Sequence, residues 1–213
     1  MGVWSGNLSY NRYYVEGDVD GEFPRDWLLE RVNHMSIPTL TVEAEDEQVI
    51  GWCNVENILS TEFSSENFFY NQYILFAMRI DSWKLPPALF KARLQEAERE
   101  YREETGKERL TKREKDQLKL KIRMEMKRQS LPSIVAYDVC WDWHNKVLRL
   151  WSLSSRINTM FLEHFEKSFS GVQLAHQSPY TMAERLQLEE TQLEVMRTLE
   201  PETFVSLDGI TGA

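Results

Sequence analysis

The chain has 213 residues, a formal net charge of −9 and 42% hydrophobic content with 7 Trp, 8 Tyr and 10 Phe, ample for a packed core. No apolar run approaches the roughly 20 residues of a bilayer span, the N-terminus lacks the basic and apolar blocks of a signal peptide, and two cysteines make no disulfide framework, so a cytoplasmic protein with reduced thiols and no membrane contact is expected. Charge is uneven: Lys and Arg number 3 against 13 acids over 1–78, 16 against 10 over 79–128, and 6 against 11 over 129–213, which points any electrostatic contact to the middle segment.

In chain order, residues 3–15 are rich in aromatic and β-type side chains (Val3, Trp4, Leu8, Tyr10, Tyr13, Tyr14, Val15) and predict an opening strand that ends at the turn Glu16-Gly17-Asp18. Pro24 suits a first helical position, and Trp27, Leu28, Arg31, Val32 and Met35 form the stripe of a short helix that Pro38 stops. Residues 39–59 predict a strand pair around the acidic turn Glu45-Asp46-Glu47, with Val49 to Cys53 as its buried half, and Ser60 to Asn67 reads as a polar loop. Tyr70 to Ile80 is nearly continuous in apolar residues, the pattern of a central strand covered on both faces.

Pro86-Pro87 then opens a helix with Phe90, Leu94, Ala97 and Tyr101 at seam spacing, and Gly106 ends it. Thr111-Lys112-Arg113-Glu114 is a capping box and starts a second helix. Within that helix Leu118 to Met126 alternates apolar and basic with period two; its strong helix formers, and the shared face of Leu118, Ile122 and Met126, predict helix rather than strand. Leu131-Pro132 terminates it. Ile134 to Trp143 and Val147 to Leu153 predict a hairpin around His144-Asn145, followed by an amphipathic helix to Phe169, a strand at Gly171 to Leu174, a polar helix near 180–199 and a tail ending Gly209 to Ala213.

The expected fold is α+β, a mixed or antiparallel sheet in two βαββ/ββαβ-like halves with a basic two-helix insertion. The sheet core is expected over 1–86 and 130–176, the helical hairpin over 87–129, and a C-terminal helix with a flexible tail over 177–213.

The hairpin cations Lys107, Arg109, Lys112, Arg113, Lys115, Lys119, Lys121, Arg123, Lys127 and Arg128 admit two readings: a solvated face paired with Glu103, Glu104, Glu108, Glu114 and Asp116, or a surface that tracks phosphates. Tyr101 is the one aromatic in the basic stretch, so base stacking has little support there. Asp138 and Asp142, with Glu163 and Glu166 downstream, are the candidate carboxylates for a metal-dependent nuclease, although no Asp-x-Asp or Glu-x-Lys cluster backs them. His34, His144, His164 and His176 are scattered without zinc spacing, Cys140 lies in an apolar strand, and there is no phosphate-binding glycine loop or serine-hydrolase motif.

Several spaced features together resemble the RdgC recombination-associated proteins of bacteria. They are Arg79-x-Asp81-x-x-Lys84-Leu85-Pro86, the stretch Arg109-Leu110-Thr111-Lys112-Arg113-Glu114-Lys115, Leu131-Pro132, the Trp141-Asp142…Asn145…Leu148 hairpin, and Asn158…Phe161. The likeness runs over about residues 3–175, is most specific in 79–165, and corresponds to a short form lacking the C-terminal portion of longer relatives. It implies a cofactor-free, non-enzymatic protein that binds the backbone of duplex DNA without sequence preference, forms a homodimer, and modulates a RecA-type recombinase at the nucleoid. The DNA contacts would fall to Lys107, Arg109, Lys112, Arg113, Lys119, Lys121, Arg123, Lys127 and Arg128. Two rival expectations stand beside it: a protein-interaction module docking through the Phe90/Leu94/Ala97/Tyr101 seam and the Leu118/Ile122/Met126 face, and a metal-dependent exonuclease built on Asp138 and Asp142.

Overall fold

The computed structural model describes residues 2–4, 6, 8–17, 24–44, 47–186 and 188–199. The elements are β1 (Asn11–Gly17), α1 (Arg25–His34), β2 (Gln48–Cys53), α2 (Ser65–Phe68), β3 (Phe69–Tyr70), β4 (Tyr73–Ser82), α3 (Pro87–Thr105), α4 (Lys112–Arg128), β5 (Ser133–Asp142), β6 (Val147–Leu150), α5 (Ser155–Ser168), β7 (Val172–His176), α6 (Pro179–Arg185) and α7 (Glu190–Thr198). The strands make one seven-stranded sheet in the order β2-β4-β5-β6-β1-β7, with β3 added on β4. All strand pairs are antiparallel. The α+β class therefore holds, and the two halves β1-α1-β2-β4 and β5-β6-α5-β7 are interleaved, because β1 lies between β6 and β7.

The long apolar run of β4 explains the layering. Its even residues Ile74, Phe76, Met78 and Ile80 point to one face and join a core with Leu28 and Val32 of α1 and Phe161 and Phe165 of α5. Aromatic rings dominate there: Trp52 meets Phe76 edge-on at 5.0 Å, Phe165 lies 4.8 Å from Phe169, and the Trp52 indole N–H donates to Ser168 Oγ at 2.8 Å. The odd residues of β4 face the other side, where Leu75 packs with Val55 and Cys140 under Val3, Tyr70, Tyr73 and Trp151. There Arg79 holds Asp81 bidentately at 2.7 and 2.5 Å and donates to the Ile58 carbonyl at 3.0 Å, so this buried ion pair is fully hydrogen-bonded.

Several expected elements shift. The opening strand is confined to Asn11–Gly17; upstream of it, Val3 lies over the second sheet face and donates its N–H to Asp138 Oδ2 at 2.8 Å. Aromatic and β-branched composition marks a segment that packs on a sheet as well as one that pairs in it. Of the strand pair expected in 39–59, the described residues form β2. Its outer edge meets a single parallel bridge, Ser36↔Trp52. Gly51 serves that close approach, since a Cβ there would collide with the Ile37 backbone. The polar loop at 60–67 holds the one-turn helix α2, and the helix near 180–199 is split into α6 and α7. Asp18, Glu45, Asp46 and the tail 209–213 lie outside the described residues.

The insertion forms as its local signals dictate. Pro87 occupies the first turn of α3, Gly106 closes it in the left-handed region at φ 66°, and Thr111 caps α4. No residue of α3 or α4 belongs to either core cluster of the sheet. Trp141→Ala, which empties a site only 1% exposed, is therefore expected to cost about 3–5 kcal/mol in chemical denaturation. Replacing 88–129 with a short Gly-rich linker should leave a single cooperative transition; loss of cooperativity would place the hairpin in the core.

Candidate nucleic-acid interface

The hairpin that carries the basic segment is built around Glu114. The Thr111 N–H donates to its Oε2 at 2.8 Å, the Glu114 N–H returns to Thr111 Oγ1 at 3.3 Å, and Lys107 Nζ reaches Oε1 at 2.5 Å. Lys107 first, then the two Thr111 donors, hold the Glu114 carboxyl down to about 2. Tyr101 OH adds a contact from α3 at 3.3 Å.

One side of α4 is buried and the other only partly covered, with Leu120 61% exposed. Leu118, Ile122 and Met126 are buried on the side toward α3, whose Phe90, Leu94, Ala97 and Tyr101 are half-buried. Leu120 and Met124 lie on the opposite side and, with Val42, Ala44 and Lys127, line a cleft of about 180 Å³ against the 42–47 segment. The apolar seam expected to dock a partner is thus already occupied within the chain.

This second packing commits part of the cation set. Lys127 is 5% exposed and donates Nζ to the Ala44 carbonyl at 3.1 Å. Arg123 pairs with Glu47 at 2.9 Å and lies over the Phe90 ring at 5.5 Å, and Arg128 reaches Glu43 at 3.7 Å. These three residues contact Glu43, Ala44 and Glu47, which precede β2. Lys119 and Lys121 make exposed helix pairs with Asp116 at 3.2 Å and Glu125 at 4.0 Å, of the kind that contributes only a few tenths of a kcal/mol. Arg109, Lys112, Arg113 and Lys115 are exposed at the hairpin tip and have no ion pair among the described residues.

The candidate nuclease carboxylates do not converge. Asp142 is 2% exposed and accepts the Asn145 N–H at 3.1 Å and its side-chain amide at 2.9 Å, fixing the β5–β6 turn. Asp138 accepts Val3, and burial pushes its carboxyl up. Both project from the face opposite α5, so the sheet separates them from Glu163 and Glu166. Among the described residues there is no group of three His, Cys, Asp or Glu placed to hold a metal ion. Burial raises the Cys53 thiol to about 12 and also raises that of Cys140, which makes both poor nucleophiles.

Several of the residues that carry the resemblance have structural work in this chain. Arg79–Asp81 is the buried pair, Pro86 precedes α3, Thr111–Glu114 caps α4, and Asp142–Asn145 makes the turn. Asn158 is buried and donates to the carbonyls of Ser152 at 3.2 Å and Ser154 at 2.7 Å while accepting from Asn11 and Tyr13, which joins α5 to β1. Burial moves the Tyr13 phenol to about 12. The sequence matches no family model and no curated protein. No helix among the described residues is long and apolar enough to cross a membrane.

Two outcomes follow. Lys127→Met should leave the Ala44 carbonyl without its donor and destabilise hairpin docking by about 1–3 kcal/mol, read as faster amide exchange in α4; Lys121→Gln, in contact with solvent, should change exchange little. His164 packs on Trp52 at 4.5 Å, and burial lowers its imidazole to about 4. The unfolded chain takes up this proton near pH 6.5 while the folded one resists it, so the neutral-histidine contribution is complete above pH 6.5 and is lost as pH falls toward 4. The loss should reach about 3 kcal/mol in urea titrations and disappear in His164→Gln; an unchanged pH profile in that variant would remove His164 as its source.

Proposed function

We propose that this chain is an RdgC-like, non-enzymatic protein that holds the backbone of duplex DNA at the tip of its α3–α4 hairpin, without sequence preference and without a cofactor. It would act in the cytoplasm, at the nucleoid, as a homodimer that restrains a RecA-type recombinase. The observation that carries this reading is the exposed cluster Arg109, Lys112, Arg113 and Lys115, which makes no ion pair among the described residues. Lys112, Arg113 and Lys115 stand in the first turn of α4, where the helix dipole disfavours cations, so helix stability does not explain their placement. A phosphate does, since it answers both the side chains and the dipole and releases counterions on binding. The exposed pairs at Lys119, Lys121, Arg123 and Arg128 can be displaced by a phosphate, whereas Lys127 is buried and Lys107 holds Glu114 at the α4 cap.

A second reading, a protein-docking module, draws on α6 and α7, which leave Leu186 72% and Val195 59% exposed. Such association would be insensitive to salt.

Replacing Arg109, Lys112, Arg113 and Lys115 together with Gln should flatten the log–log salt dependence of duplex binding by up to about 3.6, at about 0.9 per phosphate contact, without lowering the unfolding midpoint. Lys119→Gln with Lys121→Gln should flatten it by less. Equal effects of the two sets, or none from the first, would count against the tip as the contact surface.

A further inference from the structure

The sheet ends in two edge strands, β2 and β7, which are finished differently. The outer edge of β2 is met by the chain leaving α1: the Ile37 N–H donates to the Trp52 carbonyl at 3.0 Å, and the Trp52 N–H to the Met35 carbonyl at 3.0 Å. Among the described residues no strand meets the outer edge of β7, where Gln173 and His176 are exposed. The strand Val172-Gln173-Leu174-Ala175-His176 also has none of the lysines or prolines that shield an edge from pairing.

Main-chain groups of successive residues in an antiparallel pair point to opposite sides. On β1 the Val15 N–H donates to the Lys146 carbonyl at 2.9 Å, toward β6, while the Arg12 carbonyl accepts the Gln177 N–H at 2.8 Å on the β7 side. With Val15 opposite Leu174 and Tyr13 opposite His176, the main-chain groups of Val172, Leu174 and His176 turn away from β1. Two of these groups are used locally. The Val172 N–H donates to the Phe169 carbonyl at 3.0 Å, and the His176 carbonyl accepts the Thr181 hydroxyl at 2.9 Å. The Val172 carbonyl, both groups of Leu174 and the His176 N–H are left without a partner among the described residues.

We infer that β7 pairs antiparallel with β7 of a second copy of this chain, about a two-fold axis at Leu174. In that register Leu174 faces its own counterpart and exchanges both hydrogen bonds with it, while each His176 N–H donates to the Val172 carbonyl of the other copy. The groups that would meet in the remaining positions, the Val172 N–H and the His176 carbonyl, are the two already satisfied within the chain. A foreign strand in this register would bring a free carbonyl to the spent Val172 N–H and a free N–H to the spent His176 carbonyl; the copy brings neither. Charge favours the same place, since in a chain of net charge −9 this strand has no acid to repel its copy. Four hydrogen bonds make a small interface, and the helices that follow β7 add apolar area at the same end of the sheet, with Met182, Leu186 and Val195 exposed. The pairing rests on the homodimer of the reading above and gives it an interface; the duplex contact lies on other elements.

The test is light scattering of the full chain over a concentration series, joined to amide exchange followed by NMR. A particle of twice the 25.2 kDa chain mass is expected at high concentration, with the Leu174 and His176 amides exchanging faster as dilution releases monomer. His176→Pro removes an N–H that the monomer does not use and should weaken dimerisation about tenfold or more, for two hydrogen bonds lost per dimer. His176→Ala keeps that N–H and should dimerise as the parent does, as should the four-residue hairpin-tip variant. A monomer at every concentration overturns the edge together with the homodimer. A dimer whose dissociation constant a folded His176→Pro variant leaves unchanged, or whose Leu174 amide exchanges at a rate independent of concentration, overturns the edge alone. Duplex binding by the tip is read separately, from its salt slope.

Discussion

Two-sided burial of β4 is the constraint on which the rest of the molecule depends. A strand with Ile74, Phe76 and Met78 on one side and Leu75 and Ala77 on the other, all nearly inaccessible, needs a cover on both faces. Helices α1 and α5 supply the first cover. The second comes from Val3, Tyr70 and Trp151 over Leu75 and Cys140, with the Arg79–Asp81 pair satisfied by Ile58. Because β4 runs on to Trp83, whose N–H donates to the Glu47 carbonyl at 2.9 Å, the chain leaves the sheet beside Glu47. That exit fixes where the α3–α4 hairpin docks and leaves its far end projecting.

The division of the cations follows from this docking. Those near the base of the hairpin meet Glu43, Glu47 and the Ala44 carbonyl, whereas near the tip Lys107 pairs with Glu114 and Arg109, Lys112, Arg113 and Lys115 face solvent. A net positive segment in an acidic chain is thus two populations, one that holds the hairpin and one whose charge is unspent. The second contributes most readily to a phosphate backbone, since no ion pair of the fold need be broken first, while the exposed pairs of the first cost little to break.

Much of the fold could be read from local chemistry. The capping box at Thr111, the proline pair before α3, Gly106 and the apolar run of β4 each specify one backbone conformation whatever surrounds them. The N-terminal segment and residues 39–44 misled because β-type composition reports fitness for a pleated surface, and a chain lying across a sheet meets the same demand. The alternation in α4 looked like a strand because Leu120, 61% exposed, and Met124 add apolar residues on the side opposite the buried file Leu118, Ile122 and Met126. The candidate site was legible as a charge excess, but not as a division. Burial of Lys127 depends on Ala44, a contact between distant parts of the chain that no local spacing announces.

The most direct test of the account is the salt dependence of duplex binding by the unmodified chain, with molar mass read by light scattering on the same sample. Four unneutralised cations at the tip predict a log–log slope near −3 to −4 per bound chain, at about 0.9 per phosphate. A slope close to zero, with affinity retained, would contradict an electrostatic contact at the hairpin and assign the interaction to the apolar surfaces instead.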